Sequence, residues 1–234
     1  MTREMHPSVD LLVTLMRPPS QPVGSTVDWE VARESWGVNF PRDYRDFLAA
    51  YGGGSIDDYF LVATVLDSPD HDETTLVGLT SVARSLAQEQ GNWSYRVWPE
   101  EGGLICWGAT VDGEALYWDT ADADPDRWPV VVRGDDRKFT EYEYGMAEFI
   151  VKMLGPSAER PLESPTLYGA PNSRYLSKAE ERRLENEGVD PWEYLQELFE
   201  ANEADGYDGD DGLLVVMQPD GTLEYIPGGD IPER

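Results

Sequence analysis

The sequence predicts an α+β fold, a mostly antiparallel sheet flanked by helices. Three observations carry that expectation. Apolar residues recur at helical spacing between positions 27 and 51. Short apolar runs separated by turn residues follow between 104 and 142. A second helical pattern then closes the block at 146–154. Helices and strands are segregated along the chain rather than alternating, which argues against a parallel α/β sheet.

A first short helix is expected over 8–16, with Val9, Leu12, Val13 and Met16 on one face. The Pro18-Pro19-Ser20 stretch begins a loop. Residues 27–56 read as two helices broken at Gly37 and closed by Gly52-Gly53-Gly54. Trp29, Ala32 and Trp36 share a face of the first; Phe40, Tyr44, Phe47, Leu48 and Tyr51 share a face of the second. Pro41 suits a first helical position, where a missing N–H is harmless. Asp43 is expected to accept the Phe40 amide, and Gly52 or Gly53 to supply a left-handed cap. The apolar run 59–66 predicts a strand buried on both faces, followed by an acidic loop at 67–73. A helix is expected over 74–90, with Leu76, Leu79, Val82, Ala83 and Leu86 inward and a stop at Gly91. Residues 92–101 are irregular, with Trp93, Tyr95 and Trp98 directed at apolar surroundings. Strands are expected over 104–110, 115–119, 127–133 and 138–142, the first two joined by Asp112-Gly113, a strong hairpin signal. The closing helix buries Phe149, Ile150, Met153 and Leu154.

From 156 the chain turns proline-rich, as a linker or surface arm does. Ser177 and Glu180 have capping-box spacing, Asp190-Pro191 starts a further helix bearing Trp192, Leu195 and Phe199, and 200–212 is acidic and glycine-rich. Strands at 213–217 and 223–226 flank Pro219-Asp220-Gly221 as a hairpin. A lone hairpin is marginal in water. The expected organisation is therefore a domain over 1–155 and an extension over 156–234 docked on it or on a partner.

Certain residues form a recognisable set. Trp36-Gly37, then Phe40-Pro41-Arg42-Asp43-Tyr44-Arg45-Asp46-Phe47-Leu48, then Tyr51-Gly52-Gly53-Gly54 resembles the signature of the SMI1/KNR4 (SUKH) family, with Phe40 where that pattern has Leu. Gly103-Leu104-Ile105-Cys106-Trp107-Gly108, Leu116-Tyr117-Trp118-Asp119 and the Phe149-Ile150 helix agree with it, so the resemblance spans 27–154. It implies an α+β sheet flanked by helices. In bacteria it implies a non-catalytic immunity protein that occludes a cognate toxin, often a nuclease; eukaryotic members suggest a regulatory or scaffold role instead.

The formal net charge is −28. That argues against nucleic acid or an anionic membrane as a partner, because phosphates are bound by Lys and Arg clusters. It favours a basic protein partner through electrostatic steering, and it also serves solubility. No apolar run approaches the roughly 20 residues that span a bilayer, and the N-terminus lacks a signal-peptide pattern, so a cytoplasmic location is expected. Cys106, the one cysteine, sits among apolar neighbours as a buried thiol does.

Candidate chemistry is sparse. The loop carrying Asp119, Asp122, Asp124 and Asp126 offers oxygens but lacks the glycine and glutamate of an EF-hand; the 205–212 run fails the same pattern. His6 and His71 stand alone in terminal and loop positions and are expected to be exposed. There is no P-loop, no GxSxG and no complete GxGxxG. Trp36, Trp107 and Trp118 read as core. The expectation is no catalytic residue, no metal site and no cofactor, with partner-binding residues Asp57, Asp58, Asp119, Asp122, Asp124 and Asp126 on acidic loops. Solvated turns are the competing reading of those six, and a carboxylate- or metal-dependent hydrolase the competing function.

Overall fold

The computed structural model describes residues 4–65, 74–155, 161–162 and 173–195, together with the backbone of two strands at Leu213–Met217 and Leu223–Pro227. In chain order the helices are α1 (Pro7–Leu15), α2 (Trp29–Trp36), α3 (Arg42–Tyr51), α4 (Leu76–Gln90), α5 (Met146–Leu154) and α6 (Lys178–Asn186). The strands are β1 (Gly54–Ile56), β2 (Phe60–Val62), β3 (Ile105–Thr110), β4 (Ala115–Trp118), β5 (Val130–Arg133), β6 (Phe139–Tyr142), β7 (Tyr175–Leu176), β8 (Leu213–Met217) and β9 (Leu223–Pro227). The first seven form one antiparallel sheet in the order β6-β5-β4-β3-β2-β1-β7, and β8 pairs with β9 as the expected hairpin. The α+β expectation holds.

Alternation along the strands divides the core in two. Leu116, Trp118, Val130 and Val132 face a large cluster covered by α1, α2, α3 and α5. Tyr117 and Val131 face the other side, where Cys106 and Ala83 of α4 pack. Trp107 and Trp118 are fully buried and Trp36 nearly so, as expected of core aromatics. α1 buries Val9 and Leu12 against α3 and α5.

Local departures from expectation have local causes. β3 carries a bulge between Cys106 and Gly108, and β2 pairs with β3 only from Gly108 onward, so the Cys106 amide turns to a side chain of α4. Thr80 accepts that amide at 3.1 Å. The buried stripe of α4 is therefore Leu76, Thr80 and Ala83, while Val82, expected inward, is 59% exposed. β5 starts at Val130 rather than at 127, because Pro129 has no N–H to give a sheet and residues Pro125–Arg127 form a 3-10 turn. Strand β2 ends at Val62, and the continuing chain turns at Thr64 to bridge Thr75.

Asp43 does not accept the Phe40 amide. Its Oδ1 accepts Tyr44 N at 2.7 Å and its Oδ2 accepts Ala147 N at 2.9 Å, so it serves the first turn of α5, whose own N-cap is Gly145. A Cβ on Gly145 would lie 2.7 Å from Asp43 Oδ2, so this approach needs glycine. α3 starts at Arg42 behind Pro41, and Asp126 from a distant loop accepts the Arg42 amide at 2.6 Å.

The segment after the proline-rich stretch returns to the sheet. β7 pairs with the outer edge of β1, and Tyr175 donates its hydroxyl to Gly52 O at 2.9 Å. Ser177 caps α6 by accepting Glu180 N at 3.1 Å, but Glu180 reaches forward to Arg183, so only half of the capping box forms. Phe199, residues 156–160 and the turn at 219–221 lie outside the described residues.

Candidate functional site

The segment leaving β4 is a chain of aspartate turns. Asp119 Oδ1 accepts Ala121 N at 3.0 Å, Asp122 Oδ1 accepts Asp124 N at 2.9 Å, and Asp124 Oδ1 accepts Asp126 N at 3.1 Å. Each spends one oxygen on the amide two residues on, the habit that makes Asp a turn residue. Asp122 also pairs with Arg127, and its carbonyl accepts Trp128 Nε1 at 2.7 Å. Trp128 is thereby held inward under the loop.

A second loop, 91–104, stands opposite. Thr120 Oγ1 ties the two together by donating to Gly103 O at 2.8 Å. Trp98 donates its indole N–H to Trp36 O at 3.0 Å, and the Trp36 and Trp98 rings lie 4.4 Å apart. Between the loops opens a cleft of about 880 Å³ with Trp36, Trp98 and Trp128 among its lining residues. Glu100, Glu101, Asp119 and Asp122 bring four carboxylates to it, against the guanidiniums of Arg33 and Arg96.

The six aspartates singled out by sequence do not form one face. Asp119 and Asp122 line the cleft, and Asp124 and Asp126 continue the same loop. Asp57 and Asp58 form the β1–β2 turn, which strand register places at the opposite end of the sheet, beside the β3–β4 hairpin. Both have positive φ, as a tight hairpin turn requires of its central pair. Asp57, expected on an exposed loop, is 3% exposed. It accepts Ser173 Oγ and Arg174 N, each at 2.8 Å, and the Tyr194 hydroxyl, so it fastens the 173–195 segment to the sheet edge. Asp58 lies at the surface 3.4 Å from Lys178 Nζ. Sequence reasoning missed Glu100 and Glu101 as the far wall; the signal was two acids directly after Trp98-Pro99.

Other candidates resolve into structural roles. His6 is half-buried rather than exposed, and caps α1 by accepting Ser8 N at 3.3 Å. His71 lies outside the described residues. Burial pushes the Cys106 thiol up to about 12, far from a reactive thiolate. Among the described residues no three His, Cys, Asp or Glu side chains gather as a metal ion needs.

Burial also lifts Asp43 and Asp57 above the ordinary 3.8, only partly offset by the hydrogen bonds they accept. The folded chain therefore holds these two protons more tightly than the unfolded chain. Their contribution is fully present below 3.8 and is lost as pH rises through the raised folded values. Relief of self-repulsion in a chain of net charge −28 acts in the same direction. Thermal unfolding should thus shift to higher temperature as pH falls from neutrality toward about 5; a midpoint that falls steadily over that interval contradicts this.

These features define a class: an α+β domain with helices on both sheet faces and an open, carboxylate-rimmed cleft at one sheet end. The model of the SMI1-KNR4 cell-wall family (SUKH_6) matches residues 27–150, more than half of the chain, and the chain belongs to that family. Proteins of the SUKH family are generally immunity proteins that bind protein toxins. No curated protein and no solved structure matches the chain. Among the described residues no helix is long and apolar enough to cross a membrane.

Proposed function

We propose that this is a bacterial cytoplasmic immunity protein that neutralises a cognate toxin by occlusion, without making or breaking bonds itself. The observation that carries the reading is a net charge of −28 on a chain built around a SUKH domain. A nuclease-type toxin presents a basic groove to its nucleic acid, and a carboxylate surface competes for that groove. Asp119, Asp122, Asp124 and Asp126, with Glu100 and Glu101, supply the face. Asp57 is committed to the 173–195 segment and Asp58 lies beside Lys178, so neither is part of it. Nucleic acid and membrane are not partners in this reading, and residues 156–234 act as an extension of a domain ending near 155.

The scaffold alternative rests on the C-terminal third, and residues 173–195 of that third are spent on the chain's own sheet edge. The hydrolase alternative rests on the abundance of carboxylates, and those of the 119–126 loop are turned onto backbone amides. The test is co-expression with the products of neighbouring genes. Rescue of growth from a toxin-like, basic product, with recovery of the complex, is the expected result. Capture of no such product, with no rescue, overturns the reading.

A further inference from the structure

We propose that the cleft between Trp98 and the 119–128 loop is the receptor for an arginine side chain carried by a basic segment of the partner protein. The inference rests on the reading that the partner is a basic protein and names the contact that partner makes.

Size and chemistry both fit. A cleft of about 880 Å³ is large enough for an arginine and the backbone on either side of it. Trp98, half-buried, offers the indole face, the best of the aromatic faces for a cation, with the nearly buried Trp36 and Trp128 behind it as the floor. Carboxylates stand at its rim, and a guanidinium pairs with a carboxylate through two parallel hydrogen bonds while its plane lies on a ring. An ammonium matches only the charge. The chain's own nearby cations are already engaged: Arg33 pairs with Glu30 at 3.0 Å, Arg127 with Asp122, and Arg96 donates to Glu101 O at 3.2 Å. Glu100 and Glu101 are exposed and Asp119 is half-buried, which leaves carboxylate oxygens at the mouth. The same pairing recurs within the molecule, with Arg45 5.1 Å from the Trp29 ring centre, Arg133 5.2 Å from Trp93 and Arg174 4.5 Å from Tyr194. Buried Trp and Arg dominate binding energy at protein interfaces, so an arginine seated here would anchor a complex.

The experiment uses the full chain labelled with ¹⁵N, whose eight tryptophans give separate indole N–H signals. The probes are an octa-arginine peptide and an octa-lysine peptide. Octa-arginine is expected to move the Trp36, Trp98 and Trp128 signals and leave Trp29 and Trp192 in place, with octa-lysine binding more weakly. Glu100→Lys with Glu101→Lys should weaken octa-arginine about tenfold, a change of roughly 1.4 kcal/mol. Glu89→Lys with Asp135→Lys, an equal charge change outside the cleft, should weaken it by less than threefold. Asp119→Asn keeps the turn acceptor and should weaken binding without loss of fold. Shifts spread over all eight indoles, equal losses in the two double variants, or equal affinity for octa-lysine would each overturn the proposal. A toxin whose binding survives Glu100→Lys with Glu101→Lys overturns the cleft alone. Octa-arginine seated in the cleft, with no toxin neutralised, overturns the functional reading alone.

Discussion

Replacing Trp118 with alanine is expected to lower folding stability by about 3–5 kcal/mol. The indole is fully buried, with ring centres of Tyr44 at 4.8 Å, Trp107 at 5.9 Å, and Phe40 and Trp128 at 6.3 Å. It joins the helix layer to the central strand, and truncation leaves a cavity whose rigid aromatic walls cannot collapse to fill it. A domain is stable by only about 5–15 kcal/mol, so the variant should populate unfolded chains readily. Trp118→Phe should lose less. Urea denaturation measures both; a loss below about 1 kcal/mol for the alanine variant would mean that the aromatic cluster is not the keystone of the core.

Gly52→Ala should be nearly as damaging, for a backbone reason. Gly52 has φ 70° and ψ −159°, a region open essentially to glycine, which costs a side-chained residue about 1–3 kcal/mol. A Cβ there would also lie 2.0 Å from Val23 O, a backbone atom with no flexible end to swing away. That same carbonyl accepts Gly53 N at 2.9 Å. Moving it would unseat the 17–27 loop, and Tyr175, bonded to Gly52 O, would loosen with it. Raised protease sensitivity around both segments, together with a lower denaturation midpoint, is the expected pair of results. An alanine variant of unchanged midpoint contradicts the assigned geometry.

What was legible in sequence followed from short-range physics. The α3 face from Phe40 to Tyr51, the α5 face and the Asp112-Gly113 hairpin each carry their period or turn chemistry within a few residues. β1 and β7 do not. β1 is a Gly-Ser-Ile triplet, and its pairing of Ser55 with Leu176 spans most of the chain, so no local pattern announces it. The α4 stripe departs from expectation at Val82, and the partner that holds Thr80 inward instead, the Cys106 amide, lies on another element. Of the candidate site, the 119–126 loop was legible from its aspartates. Two things were not: that each aspartate would turn one oxygen back onto the chain, and that Asp57 would be buried by a segment from beyond residue 172. The cleft needs two loops and α2 at once, and they meet only through tertiary contacts, Thr120 with Gly103 and Trp98 with Trp36, that no local pattern announces.

The central claim is that a negatively charged face of this SUKH protein binds a basic protein. The most direct measurement is the association rate with the toxin-like product of a neighbouring gene, followed by stopped flow across a range of ionic strength. The account predicts a rate constant well above about 10⁶ M⁻¹s⁻¹ at low salt that falls steeply as salt is added. A rate indifferent to salt, in a complex that still neutralises the toxin, would contradict it.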